Sequence, residues 1–482
     1  MSTTSVVRNP SADHLSLATV LIFVSASIPQ ATLLGMLGVF LPRYFTHFFP
    51  NPKAALILIG VTLAGVRSID TLGVDLPIGW AMDKFSTRFG RYRPWFVAGA
   101  PIVMIGTYML FNPPAHMSTG YLAAWYLILY VGVSMMTIAS SAWGASLARG
   151  YNDRSRLFAW GIPVAILGSA WLTLSPVFTH NKFGPGVFKD VPIIGWIVIG
   201  LFALTTVVVA TLVKEPVAPP APRARGGLAD YWRIIANPTA LRLVFADLFL
   251  TLGPGLTAPI YLFFFNQSKG FSINGATTLL IFYTAAGLVW APMWARVARS
   301  LGKHRTLQIA CAAYAVAQTS LMAIQGPQYA ITAVFMFFAG GTASGFLFLV
   351  RAMLADYADE LRLDQGVTRS GLLFSFIGVT QKLAASFNTA ISFGILAWVG
   401  FDPDEHAHNT AHAIFGLDMT YVFAPIAFVV VTGLFFFGYK LDANRHAEIR
   451  AALDERDAAI ERESVADALT GEPRLDAPAA AE

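Results

Sequence analysis

Runs of about 20 apolar residues, long enough to cross a bilayer as helix, recur along the whole chain and leave little room for any other fold. They are read at 15–41, 55–82, 95–111, 121–147, 157–178 and 192–213, then at 239–265, 274–295, 305–324, 328–354, 371–399 and 416–439. Lipid offers a backbone no hydrogen-bond partners, so segments of this length satisfy themselves as helices. The expected fold class is all-α: a polytopic membrane protein with twelve transmembrane helices in two six-helix halves. With 482 residues, 55% of them hydrophobic and 13% charged, and a mean hydropathy of +0.58, the chain is too apolar for a water-soluble protein of its size.

The charges fall in alternate loops. One set carries Lys84, Arg88, Arg91 and Arg93; Arg149, Arg154 and Arg156; Lys214, Arg223, Arg225 and Arg233; Arg296, Arg299, Lys303 and Arg305; and Arg362 and Arg369. The opposite loops carry only Arg43, Lys53, Lys182, Lys189 and Lys269. Basic residues stay on the cytoplasmic side, so both termini are expected there, in a multi-pass protein of the plasma membrane (the inner membrane of a bacterium). The same loops account for a pI near 9.2, and no nucleic-acid partner is expected. The single Cys311 rules out an intrachain disulfide. The first 14 residues lack the basic start of a signal peptide, so the first apolar run is read as a retained helix.

Domain organisation follows from composition. The Pro-, Ala- and Gly-rich stretch near 214–233 reads as a cytoplasmic linker between an N-terminal half, 1–213, and a C-terminal half, 234–440. An internal echo supports the division. Trp80-Ala81 leads to Gly90-Arg91-Tyr92-Arg93, and Trp294-Ala295 leads to Gly302-Lys303-His304-Arg305 at the matching place in the other half. The remainder, 441–482, is a cytoplasmic tail whose mixed charges suit a solvated helix face.

Ionisable residues inside apolar runs are costly and mark functional positions. Arg67, Asp70 and Asp75 lie in the second span and Lys382 in the eleventh, eleven residues past Gly371 and so near mid-bilayer. Asp70 and Asp75 are five apart, which sets them about 140° apart on an ideal helix. Pro77 cannot donate to the Gly73 carbonyl. A one-residue π-bulge there would bring both acids to one side and free a carbonyl for a cation. Asp247 and Arg351, with Arg242, also lie within apolar runs and read as interhelical or gate ion pairs.

These residues also carry a resemblance. Acids on the second span, then Gly79-Trp80, Asp83, Arg88 and Gly90-Arg91-Tyr92-Arg93-Pro94-Trp95, resemble the glycoside–pentoside–hexuronide cation symporters, the melibiose-carrier branch of the major facilitator superfamily. Ala355-Asp356, Asp359-Glu360, Arg369-Ser370-Gly371 and Gln381-Lys382 are similar to a second segment of that family. One spacing departs from it: the family sets its acids four apart with proline next, whereas here they are five apart and Leu76 precedes Pro77. The resemblance implies a major facilitator fold, alternating access, and a lysine at 382 that serves the cation and substrate cycle.

The expected cation-binding or coupling set is Asp70, Asp75, Gly73, Lys382 and Thr137, with Na⁺ or H⁺ as coupling ion and no other cofactor. The expected substrate cavity is Gln30, Arg67, Ser140, Ser141, Trp143 and Lys382, the indole matching the family's tryptophan on the fourth span. The charged residues with which galactoside carriers of the family hold sugar on the first, fourth and fifth spans have no counterpart here. A cytoplasmic gate is expected from Asp83, Arg88, Arg91, Arg93, Asp153, Arg154, Arg156, Asp356, Asp359 and Arg369. Of His406, His408 and His412 in the outer loop, His408 and His412 could share a helix face and bind metal, but the tract reads as a hydrated loop, so no metal site is expected. No nucleophile–base pair and no phosphate loop is present, so the chain is not read as an enzyme. The expected function is cation-coupled symport of a small solute, a sugar or glycoside, by a monomer in the lipid bilayer. A lysolipid or other amphipath is the alternative solute, and an integral-membrane enzyme or sensor the alternative from another class.

Overall fold

The computed structural model describes residues 15–85, 87, 89–147, 157, 160–161, 163–168, 187–215, 237–365, 370–404, 407–439, 441 and 443–470. The membrane helices are α1 Leu17–Thr46, α2 Pro52–Met82, α3 Arg93–Phe111, α4 Thr119–Leu147 and α5 Val187–Leu212. They continue with α6 Pro238–Ser268, α7 Ile273–Leu301, α8 Lys303–Ser320, α9 Tyr329–Gln365, α10 Ser370–Trp398 and α11 Ala411–Phe435. Among the described residues nine of these are long and apolar enough to cross a membrane. The other two, α8 and α10, carry more polar side chains and pack among the nine. The expected span at 157–178 and the linker at 214–233 lie mostly outside the described residues.

The helices pack as two groups. In the first, α3 lies on α4 and α5, and α2 on α4; in the second, α7 and α8 lie on α9, and α6 and α8 on α11. Glycine lets backbones approach where α3 meets α4: a methyl group added at Gly99 would lie 3.0 Å from the Gly132 carbonyl oxygen. Small residues at such contacts are how helices associate when lipid supplies no hydrophobic drive. The groups meet along α2 and α10, where a methyl at Gly60 would lie 3.0 Å from the Ala390 Cα.

The two ends of the bundle differ. Toward the loop at 402–410, one continuous apolar core joins α1–α5 to the ends of α6, α10 and α11 through Phe40, Phe45, Phe263, Phe265, Phe393 and Tyr421. Toward the loop at 85–92, the second group has a separate core around Leu243, Leu307, Phe346 and Tyr357. Among the described residues, the groups thus share one core at the 402 end and have separate cores at the other.

Two features differ from the sequence reading. Arg43, expected in a loop, is fully buried because α1 continues through Thr46. Its Nη1 donates to the Leu262 carbonyl at 3.0 Å, its Nη2 to Asn266 Oδ1 at 2.9 Å, and its guanidinium lies 5.0 Å from the Phe263 ring centre. The tail, expected to be solvated, forms α12, Ala443–Thr470, whose Ile449 and Leu453 are buried against Tyr357, Leu361 and Tyr439. Residues four apart share a helix face, and these two supply the apolar stripe that the dense charges around them obscure.

Candidate functional site

The site is built on an irregularity in α2. Residues Asp70–Val74 form a single π turn, closed by the Asp75 N–H donating to the Asp70 carbonyl. The extra residue absorbed there corrects the five-residue spacing that a regular helix would leave splayed. Pro77 follows and has no N–H to offer the Gly73 carbonyl. Similar π turns occur at Met36–Phe40 in α1 and Phe264–Ser268 in α6.

The two acids have different partners. Asp70 is buried, 4% exposed, and accepts from Ser134 Oγ on α4 at 3.1 and 3.2 Å. Asp75 is paired with Lys382 Nζ on α10, an ion pair between the two groups of helices. The pair is not fully enclosed: 38% of the Lys382 side chain is accessible. Asp75, Lys382 and Arg67 all lie within electrostatic reach of Asp70. Arg67 does not pair with Asp70. Its Nη1 donates to the Ala385 carbonyl on α10 at 3.3 Å and its guanidinium stacks 5.1 Å from the Tyr130 ring centre. A carboxylate pair with one nearby ammonium that is not fully enclosed can exchange that ammonium for a small hard cation.

The expected cavity residues divide. Gln30, Thr137, Ser140 and Ser141 line one pocket of about 200 Å³ with Phe23 and Ser27, between α1 and α4. Thr137, expected with the cation set, belongs to this pocket and makes no hydrogen bond to either acid among the described residues. Trp143 is not in it: the indole is fully buried, edge-on to Phe23 and Phe96 with ring centres 5.5 and 6.0 Å away. The three rings pack edge to face, so the side chain lies in the core, with its Nε1 buried and without a hydrogen-bond partner among the described residues. Trp143→Ala is therefore expected to cost about 3–5 kcal/mol of stability, seen as a lower thermal midpoint, with the solute affinity of the folded fraction unchanged. A second cavity, about 230 Å³, lies between the groups and is lined by Val39, Phe40, Tyr261, Tyr283, Met336 and Tyr421 among others, without a charged residue.

Of the expected gate residues, Arg91, Arg93, Asp356 and Asp359 have partners in their own groups. The N–H groups of Arg91, Tyr92 and Arg93, at the start of α3, converge on the Glu215 carboxylate at 2.8 to 3.1 Å, and Arg91 Nε donates to the Met82 carbonyl. A helix N-terminus suits an anion, here supplied from the end of α5. Asp356 accepts from Lys303 at 2.6 Å and lies 3.3 Å from His446. Asp359 meets His446 at 3.2 Å and Arg450 at 3.7 Å. Arg88, Asp153, Arg154, Arg156 and Arg369 lie outside the described residues, as does the side chain of Asp83. Among the described residues no group of three or more His, Cys, Asp or Glu could hold a metal ion.

Ser134, Tyr130, Glu215, Asn266 and Gln381 escaped the sequence reading as site residues. Two had a usable signal: Ser134, one helical turn before Thr137 on the same face of α4, and Gln381, next to Lys382 in the segment that carries the resemblance. Asp247, expected in an ion pair, instead accepts from Gln381 Nε2 at 2.7 Å.

Known proteins resemble the chain along most of its length. The chain is 23% identical over 453 residues to the isoprimeverose transporter of Lactiplantibacillus pentosus, covering 88% of this chain and 90% of that protein. It is 22% identical over 490 residues to the sodium-dependent lysophosphatidylcholine symporter 1 of Gallus gallus, covering 93% and 91%. Among solved structures, a D-xylose–proton symporter superposes with a TM-score of 0.63 at 16% identity, over 88% of this chain and 96% of that one. The nucleoside transporter NupG superposes with a TM-score of 0.62 at 14% identity, over 88% and 99%. The fold is thus the polytopic helical bundle of these carriers, and the chain belongs to the MFS/sugar transport protein family, which matches residues 22–443.

Proposed function

We propose that the protein couples the movement of a cation to import of a small neutral solute, and that Asp70, Asp75 and Lys382 are the coupling site. The observation that carries this reading is the Asp75–Lys382 pair, joining helices of opposite groups beside a second buried acid. An entering cation displaces the ammonium from Asp75 and so loosens the join between the groups. Carboxylate oxygens, with the Gly73 carbonyl to which Pro77 cannot donate, are hard ligands and favour Na⁺; H⁺ is the other candidate. Sequence relatives named as a sugar transporter and as a sodium-dependent symporter support the same class.

The solute we favour is a sugar or glycoside, held by the Gln30, Ser140 and Ser141 pocket, whose donors and acceptors suit hydroxyl groups. The uncharged, aromatic second cavity favours an amphipath such as a lysolipid as the second reading. In this account, 1–213 and 234–440 are six-helix halves joined by the 214–233 linker. The linker and the 441–482 tail are cytoplasmic, and the carrier sits in the plasma membrane as a monomer. The structure then has its outer end closed. Vesicles containing the protein, given an inward sodium gradient and a panel of sugars and lysolipids, test the reading. Accumulation of one class, abolished by a sodium ionophore, is the expected result; uptake that responds neither to the sodium gradient nor to an inward proton gradient overturns it.

A further inference from the structure

Asp418 on α11 pairs with Lys269, but another membrane-embedded acid outside the coupling site has no such cation. Asp247, on α6, is fully buried. Its Oδ1 accepts from Gln381 at 2.7 Å, while its Oδ2, equally shut off from solvent, has no hydrogen-bond partner among the described residues. The charged groups around it do not compensate a carboxylate. On α9, Arg351 is within electrostatic reach, but its side chain is exposed and no ion pair joins it to Asp247 among the described residues. On α10, Gln381 is neutral and Lys382 is engaged by Asp75. On α11 the titratable residues are His412, Asp418 and Tyr421, and none of them is among the groups that act on Asp247. Arg242, on α6 itself, lies within reach of Tyr439. A carboxyl group out of water is tolerated when paired or neutral, and here the pairing is a single amide.

We propose that Asp247 is a second proton-binding site of the carrier, holding a proton on Oδ2 while Gln381 occupies Oδ1, and exchanging it with water when the end of the bundle near the 85–92 loop opens. Gln381 and Lys382 are consecutive on α10. The same turn of one helix therefore touches the acid of each group, Asp75 in the first and Asp247 in the second. Movement of α10 as Lys382 leaves Asp75 shifts the Gln381 amide on Asp247 and with it the retention of the proton. The balance is simple: one proton passes from Oδ2 to water, the carboxylate gains one negative charge, and no other bond changes. This consequence for transport rests on the coupling reading above; the proton on Asp247 does not.

Infrared spectra of the purified protein in lipid nanodiscs separate the two, since they need neither solute nor gradient. The wild type at neutral pH is expected to show the C=O stretch of a protonated carboxyl group, shifted to lower wavenumber in D₂O and lost reversibly as the pH is raised. Asp247→Asn, which keeps an acceptor for Gln381, is expected to remove that band, and Asp70→Asn to retain it. Gln381→Leu takes away the single hydrogen bond and is expected to move the band to higher wavenumber, so the assignment stands even if Asp247→Asn folds poorly. A band that survives Asp247→Asn, or one that neither titrates nor shifts in D₂O, overturns the proposal. Failure of sodium-driven uptake in vesicles with the band intact would instead count against the coupling site on α2.

Discussion

Asp75→Asn is expected to abolish accumulation of solute against a gradient while leaving exchange down a gradient measurable. The amide keeps the size and most of the packing of the carboxylate but cannot pair with the Lys382 ammonium or bind a cation as an anion. A ligand drives a change of state only through its differential affinity for the two states. With that difference removed, the accumulation ratio should fall to about unity. Asp70→Asn should do the same from the buried side of the π turn, where it also loses a strong acceptor for Ser134. Lys382→Ala is a different experiment. It leaves Asp75, with 15% of its side chain accessible, beside Asp70 without a counter-ion, at a cost of about 1–3 kcal/mol, and should impair both accumulation and exchange. Uptake assays on vesicles with equal protein content distinguish these outcomes; accumulation by both Asn variants at the parent level would remove α2 from the coupling step.

The α2 site was legible because its chemistry is local. A five-residue spacing followed by Pro77 admits few helical solutions, and the π turn at Asp70–Val74 is one of them. Lys382 was legible for a related reason, since an amine near the middle of a span must find a cavity or an acid. What was not legible depends on partners distant in sequence. Arg43 lies just past a hydrophobic window and reads as a loop charge; its burial comes from Leu262 and Asn266, more than 200 residues away. Trp143 offered either an aromatic platform or a core ring, and the choice was made by Phe23 and Phe96 on other helices. Glu215 is one acid among linker residues, and only the fold aims it at the start of α3.

Arg43→Met is expected to open the end of the bundle that the structure shows closed. Methionine fills the space of the side-chain stem, so the change isolates the guanidinium. It removes donors to the Leu262 carbonyl and Asn266 Oδ1 and the contact with the Phe263 ring, all of which tie α1 to α6 across the two groups. Hydrogen bonds from a charged donor contribute about 1.5–3 kcal/mol, so the loss of even one shifts the closed-to-open equilibrium by roughly tenfold. The native Cys311 is buried, 2% exposed, which keeps background labelling low. Val39 lines the central cavity, and Val39→Cys should react with an impermeant maleimide added from the 402 side about ten times faster when combined with Arg43→Met. Equal labelling rates would mean that the apolar core, not Arg43, holds this end shut.

The account turns on a cation displacing Lys382 from Asp75, and equilibrium binding of radiolabelled sodium to the purified protein measures that step without knowledge of the solute. Saturable binding of one ion per chain is predicted for the wild type, lost in Asp70→Asn and in Asp75→Asn but kept by the folded fraction of Trp143→Ala. Sodium binding of undiminished affinity and stoichiometry in the Asp75→Asn protein would contradict it.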